Sequence, residues 1–226
     1  AILTKDLTIA ACDDGIRLIY YRTGVVYKEI VIDATKVSYA VAKIELTDFA
    51  AYNLGGDNQM KILDYLQTDP IITSTSTLSN TRLKRIYYHI HSKLVLYGGL
   101  VDTLSGVDYT NTDSSVQIFG KTNTSISFSE ITYVNGGRDS HTAIFGTSNG
   151  WVIYGNITSQ TALSGWNPTA ASISVLGIIE ESPIFLYGDI GSDSKLFFYD
   201  TISSTYKGSI PVVNDIRTFC YNPNQG

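Results

Sequence analysis

Five tyrosines, Tyr21, Tyr65, Tyr109, Tyr154 and Tyr199, each close a short apolar run that follows a turn-rich stretch, at intervals of 44, 44, 45 and 45 residues. Counting from Tyr199 through the end of the chain and back to Tyr21 gives 48, so five near-equal units consume all 226 residues. A chain that repeats at this length is made of supersecondary units, each needing its neighbours to cover its faces. With 16 tyrosines some regular spacing is expected, so the context of each one carries the reading. The strand before each turn ends at a small residue: Ala11, Gly55, Gly98, Gly146 and Gly188. Tyr109 is the weakest member, because Gly106-Val107-Asp108 makes a thin strand.

The units are written in strands. Ile16–Tyr21, Lys93–Tyr97, Trp151–Tyr154 and Lys195–Tyr199 are short runs of β-branched and aromatic residues, too short for helices and suited to a half-buried pleated surface. Asp13-Asp14-Gly15, Gly55–Asn58, Ser148-Asn149-Gly150 and Gly191–Ser194 punctuate them with residues that tolerate tight turns. Lys43–Leu54 reads as strand-turn-strand, with a helix as the alternative, because Asp48 and Asn53 interrupt its apolar face. Each unit reads as four strands. The inner ones are Val37–Ile44, Leu83–His89, Ile126–Val134, Ile173–Ile179 and Asp215–Tyr221. The second ones are Thr8–Cys12, Phe49–Leu54, Leu94–Gly98, Thr142–Gly146 and Ile184–Gly188. A tyrosine-ended third follows, then a fourth such as Val25–Ile32 or Tyr206–Val213.

A four-stranded antiparallel meander of about 45 residues is the length of a propeller blade. The expected fold is all-β: a single domain over residues 1–226, a five-bladed β-propeller of four-stranded antiparallel blades. Its first blade is shared between about 1–33 and 214–226 and closed by the C-terminal strand; the others span about 34–80, 81–123, 124–168 and 169–213. Asp215–Pro223 joined to Ile9–Gly15 resembles one WD40 unit, in which an inner strand ending in a Ser-Pro-like turn precedes a small-residue strand and an Asp-Gly turn. Tyr199-Asp200 is the nearest match to that family's Trp-Asp pair, and no blade opens on Gly-His. The resemblance implies a ring of blades whose recurring aromatics pack between neighbours.

Charge narrows the partners. Sixteen basic against 21 acidic side chains leave a net charge of -5, which excludes nucleic acid held by bulk charge. No apolar run approaches the ~20 residues of a membrane helix. The chain opens on Ala1 with no initiator Met, which reads as a processed chain or an excised piece of a larger one. The only cysteines, Cys12 and Cys220, fall on adjacent strands of the closed first blade, either as a disulfide or as two buried thiols. Asn123-Thr124-Ser125 and Asn156-Ile157-Thr158 are glycosylation sequons. With the cysteines they lean towards an extracellular or cell-surface chain over a cytoplasmic or ciliary one.

Chemistry is sparsely represented. No phosphate-cradling loop, zinc-ligand spacing or nucleophile elbow is present, and no cofactor is expected. His89-Ile90-His91 would present two imidazoles on one strand face as metal ligands, or simply stand at a strand end in solvent. Asp13-Asp14-Gly15 and Asp189–Asp193 offer carboxylates for calcium but read better as turns. Glu130, in mid-strand by this reading, must face a water-filled axis or be paired. Trp166, in Leu163–Pro168, is either an anchor against its blade or an exposed contact, and Arg82, Lys84 and Arg85 form a basic cluster for an acidic partner or a solvated strand start. These features favour a non-catalytic scaffold for other proteins in a larger assembly. A glycan-binding propeller is the alternative and a glycoside hydrolase the remote one.

Overall fold

The computed structural model describes residues 1–34, 38–54, 59–67, 71–77, 85–98, 103–120, 130–137, 139–179, 182–190 and 195–212, and every regular element in them is a strand. Twenty strands form five four-stranded sheets, each a meander in chain order. The first contains β1 (Ile2–Thr4), β2 (Leu7–Cys12), β3 (Gly15–Arg22) and β4 (Val25–Asp33). The second contains β5 (Ser38–Ile44), β6 (Phe49–Leu54), β7 (Gln59–Asp64) and β8 (Ile71–Thr77). The third contains β9 (Arg85–His89), β10 (Leu94–Gly98), β11 (Thr103–Asp108) and β12 (Asn111–Gly120). The fourth contains β13 (Ile131–Gly136), β14 (Thr142–Thr147), β15 (Val152–Asn156) and β16 (Thr161–Trp166). The fifth contains β17 (Ser172–Ile178), β18 (Ile184–Ile190), β19 (Lys195–Asp200) and β20 (Thr205–Pro211). Two compact units result, one holding the first two sheets and most of the third, the other the last two.

Local chemistry explains the turns. Lys43–Leu54 is strand-turn-strand as expected: Thr47 Oγ1 donates to Ile44 O at 2.7 Å and accepts from Phe49 N at 3.1 Å, which folds the chain back before a helix can start. Thr23 and Gly24 have φ of 50° and 80°, the paired left-handed conformation that joins twisted strands tightly.

The repeat is real, but its register is not the tyrosine register. The first residue of each second strand pairs with the residue that ends the third in sheets two to five, Phe49 with Asp64, Leu94 with Asp108, Thr142 with Asn156 and Ile184 with Asp200, and in the first sheet Leu7 pairs with Tyr20, two residues before the end of β3. These positions recur every 44, 44, 48 and 44 residues. Tyr21, Tyr65 and Tyr109 therefore correspond, while Tyr154 and Tyr199 sit inside their strands and the equivalent places belong to Ile157 and Thr201. What recurs is a turn device. Asp64, Asp108, Asn156 and Asp200 each accept, through Oδ1, a backbone N–H two or three residues on, at 3.1, 2.8, 2.9 and 2.8 Å. A side-chain oxygen that copies a backbone carbonyl ends the third strand and starts the hairpin.

Four of the repeated tyrosines pack as expected, Tyr65 within and Tyr109, Tyr154 and Tyr199 against the clusters that join neighbouring sheets, and a second series of aromatics is buried in the second strands. The fourth residue of each second strand is Tyr52, Tyr97, Phe145 and Tyr187 in sheets two to five, each at most 3 % exposed. The first sheet has Ala10 there. In the first unit, Leu7, Ile9, Ile16 and Leu18 pack against Ala50, Tyr52, Leu63 and Tyr65, and a second cluster joins Ala42, Ala51 and Ile62 to Tyr88, Val95 and Tyr97. In the second unit, Ile144 and Val152 meet Ile173, Val175, Phe185 and Tyr187.

Two further expectations concern the inner strands. Beside β2 at Leu7 and Thr8 stands β1, paired through Ile2↔Thr8 and Thr4↔Leu7, so the first sheet draws four strands from the N-terminal segment. Burial of Leu3 anchors that strand. The expected closing strand, Asp215–Tyr221, lies outside the described residues. Strand β13 begins at Ile131, so Glu130 precedes the strand it was expected to occupy, and 126–129 lie outside the described residues.

Candidate functional site

Each first-to-second turn and each third-to-fourth turn of a meander lies at the same end of its sheet. In the second sheet these turns carry Leu46 and Leu66, which are 89 % and 62 % exposed, and Tyr65 Oη ties them by donating to Thr47 O at 3.0 Å. In the third sheet the corresponding first turn carries Ile90, also exposed. Leu46 has φ of 61°, a left-handed conformation that costs a leucine about 1 kcal/mol and that turn-formers such as Asn or Gly adopt more readily. Neither burial nor backbone preference accounts for a leucine there.

Beside this ridge is a depression of about 400 Å³ lined by Ile2, Val41, Lys43, Glu45, Tyr87 and Ile90, among others. Lys43 Nζ meets Glu45 at 3.3 Å. The Tyr87 hydroxyl is pushed above the ordinary phenol range, by burial first and by the Glu45 carboxylate second. It stays a neutral donor and acceptor across the physiological range. Arg85, from the basic cluster, opens β9 half-buried near this region, while Arg82 and Lys84 lie outside the described residues.

The second unit holds a smaller pocket, about 170 Å³, between Tyr154, Ser164 and Trp166 on one sheet and Ile178, Phe185 and Thr201 on the other. Trp166 ends edge strand β16, half-buried, with its ring centroid 5.8 Å from that of Phe185. It is tucked against its sheet yet still borders a solvent-connected space. Phe185 stacks on Tyr199 at 5.1 Å, and Tyr187 on Phe197 at 5.0 Å. Burial raises the Tyr187 hydroxyl to about 12, with the Asp189 carboxylate adding to it.

The other residues singled out by sequence disperse. Glu130 is half-buried, and its carbonyl accepts from Ser148 N at 2.8 Å. Cys12 is a free, half-exposed thiol at the end of β2, and its expected partner Cys220 lies outside the described residues. Asn156 serves the hairpin device described above, and the next sequon residue, Ile157, is 2 % exposed. Asn123 lies outside the described residues. His89 and His91 do not share a face: β9 ends at His89, which is buried with Nδ1 2.7 Å from Ser92 Oγ, while His91 sits exposed in the turn. Among the described residues no three His, Cys, Asp or Glu side chains gather as metal ligands. Sequence reasoning passed over Leu46 entirely, because its signal is conformational.

No family model matches the chain. No curated protein matches it. Among solved structures, a chain in the crystal structure of the mitotic checkpoint complex is similar, with a TM-score of 0.73 and 13 % sequence identity, covering 96 % of this chain and 64 % of that one. This chain therefore spans under two thirds of the length of that solved chain. At such low identity the likeness concerns the fold alone, and 1423 solved chains match, which marks the architecture as widely shared. The chain has an all-β architecture of four-stranded antiparallel sheets, of the kind found in a chain of that complex.

Proposed function

We propose that the five sheets are blades of a WD40-like β-propeller that acts as a non-catalytic scaffold, binding other proteins of a larger assembly through the turns at one end of its sheets. The observation that carries this reading is Leu46: a large apolar side chain, 89 % exposed, at φ 61°, on a ridge with Leu66 and Ile90 beside a 400 Å³ depression. Strained and solvated, it gains its compensation from burial by a partner, since covering a leucine is worth about 1.5–3 kcal/mol. The fold likeness to a chain of the mitotic checkpoint complex supports the same reading. The repeated positions add support: the recurring Asp and Asn residues are spent on hairpins and the recurring aromatics on packing, leaving among the described residues no repeated polar-aromatic pocket of the kind repeated glycan sites need.

The test places the photo-crosslinking residue p-benzoylphenylalanine at Leu46, at Ile90 and, as a control, at exposed Asp13 in the second-to-third turn at the opposite end of its sheet, in the cells the chain comes from. Discrete protein adducts at the first two positions and none at the third are expected. Equal labelling at all three, or saturable binding on a glycan array without protein adducts, would overturn the scaffold reading.

A further inference from the structure

We infer that the 170 Å³ pocket beside Trp166 receives a single tyrosine side chain from an extended segment of a partner protein, which adds as a fifth strand along β16. The inference rests on the scaffold reading and adds to its turns a contact along a sheet edge.

Size selects the occupant. A cavity of about 150 Å³ lined by apolar side chains is known to accept benzene, so 170 Å³ accommodates one six-membered ring and no larger aromatic system. The lining selects a ring as well, because Tyr154, Trp166 and Phe185 offer faces and edges to pack against. One polar group selects tyrosine over phenylalanine. The Tyr154 hydroxyl donates to Thr142 Oγ1 at 3.0 Å and the Thr201 hydroxyl to Pro183 O at 2.8 Å, but the Ser164 hydroxyl has no partner among the described residues. A phenol in the pocket gives it one.

The edge strand selects an extended peptide as the carrier. β16 is the outermost strand of its sheet, so one row of its backbone N–H and C=O groups has no ladder partner among the described residues. Outer strands are usually guarded by charge or proline. β4 carries Lys28 and Glu29, and β20 carries Lys207 and Pro211. β16 reads Thr-Ala-Leu-Ser-Gly-Trp, with no charge and no proline, and its Leu163 is 53 % exposed. β8 is uncharged too, but the pocket is lined from β16 itself. A residue paired directly opposite Ser164 on an added strand has its Cβ about 5 Å away on the same face, which puts its side chain over the pocket. Backbone pairing then supplies affinity and the pocket supplies selectivity.

The test uses the whole 226-residue chain labelled with 5-fluorotryptophan, whose two fluorine resonances are assigned with Trp151→Phe. The probes are p-cresol, toluene and the acetylated, amidated peptide Thr-Thr-Tyr-Thr-Thr. Saturable shifts of the Trp166 resonance are expected in the order peptide, p-cresol, toluene, with the peptide at least about tenfold tighter than p-cresol. Ser164→Phe, which fills the pocket, is expected to abolish all three; Ile178→Phe fills it from the opposite sheet should the first variant fail to fold. An unmoved Trp166 resonance, shifts that survive a folded filling variant, or a peptide no tighter than p-cresol each overturn the inference. Crosslinking at Leu46 is unaffected by any of these outcomes, so the scaffold reading stands or falls separately.

Discussion

Replacing Gly146 by alanine isolates the close approach of neighbouring sheets. A methyl carbon built at Gly146 would stand 2.5 Å from Ile173 Cγ2 and 2.7 Å from Ile173 Cβ, against the ~3.5–4.0 Å at which carbons rest. Rotation of Ile173 can move Cγ2 but not Cβ, and Ile173 is fully buried. The relief must come from parting β14 and β17 by about 1 Å. Overpacking of this kind costs about 1–3 kcal/mol, and the immobile Cβ places Gly146→Ala near the upper end. Gly24→Ala is the comparison: φ of +80° with nothing within 4 Å of the added carbon leaves only the left-handed penalty, about 1 kcal/mol. Urea unfolding followed by far-UV circular dichroism should show the larger loss for Gly146→Ala at an unchanged m-value. Ile173→Ala alone should cost about 2–5 kcal/mol as a cavity, and the double variant should lose less than the sum of the two. A Gly146→Ala midpoint within error of the parent, or strict additivity with Ile173→Ala, would refute the packing argument.

Tyr97→Phe should leave stability unchanged or raise it by up to about 1 kcal/mol, because the Tyr97 hydroxyl is buried without a partner among the described residues and its removal ends a desolvation cost; a marked drop in the thermal midpoint would show that the hydroxyl is paired. Leu46→Asn should keep or raise the thermal midpoint, since Asn adopts the left-handed turn at lower cost, while removing crosslinks made from neighbouring Ile90; destabilisation would mean that Leu46 is structural. Asp200 is held at about 2, below its ordinary 3.8, chiefly by the Ser203 backbone N–H, with Ile202 N–H and the Lys207 ammonium assisting. Its folded pKa is depressed, so the stabilisation is present above pH 3.8 and fades as the pH falls towards about 2. Asp200→Asn should abolish that part of the acid dependence yet keep the hairpin, as Asn156 does naturally, whereas Asp200→Ala should lower stability at neutral pH; equal neutral-pH stability of the two variants would contradict the hairpin role.

Strand identity was legible because it depends on local chemistry. Second strands Phe49–Leu54 and Leu94–Gly98 have the bounds that their apolar runs suggest, since Asp48, Lys93 and the adjoining turn residues end them by hydrogen bonding and φ preference. The period was legible for the same reason, but its phase was not. Tyrosine is frequent in the chain and fits several positions on a pleated surface, so Tyr154 and Tyr199 mimic Tyr21 without occupying its place. The Asp64, Asp108, Asn156 and Asp200 series carries the phase because only a short side chain with a carbonyl oxygen can make that turn. The small residue before each turn has a cause that no single strand reveals: Gly146 is small because Ile173 of the next sheet lies against it. The equivalent place in the second sheet belongs to buried Asn53, and not to Gly55, which the pattern of small residues had suggested.

The candidate sites divide along the same line. Trp166 stood out as a tryptophan in a Gly- and Pro-containing segment, and it does border a pocket, because a large ring at the end of an edge strand can be covered from one side only. The histidine pair failed because period-two reasoning holds within a strand, and β9 stops at the first of the two. Leu46 was silent for a deeper reason. A leucine in a short apolar segment reads as core, and its two unusual properties, left-handed φ and near-complete exposure, belong to the turn that Thr47 builds around it. Packing residues announce themselves by recurring, whereas a contact residue announces itself by violating the preference of its own type. The structure is what makes the violation visible.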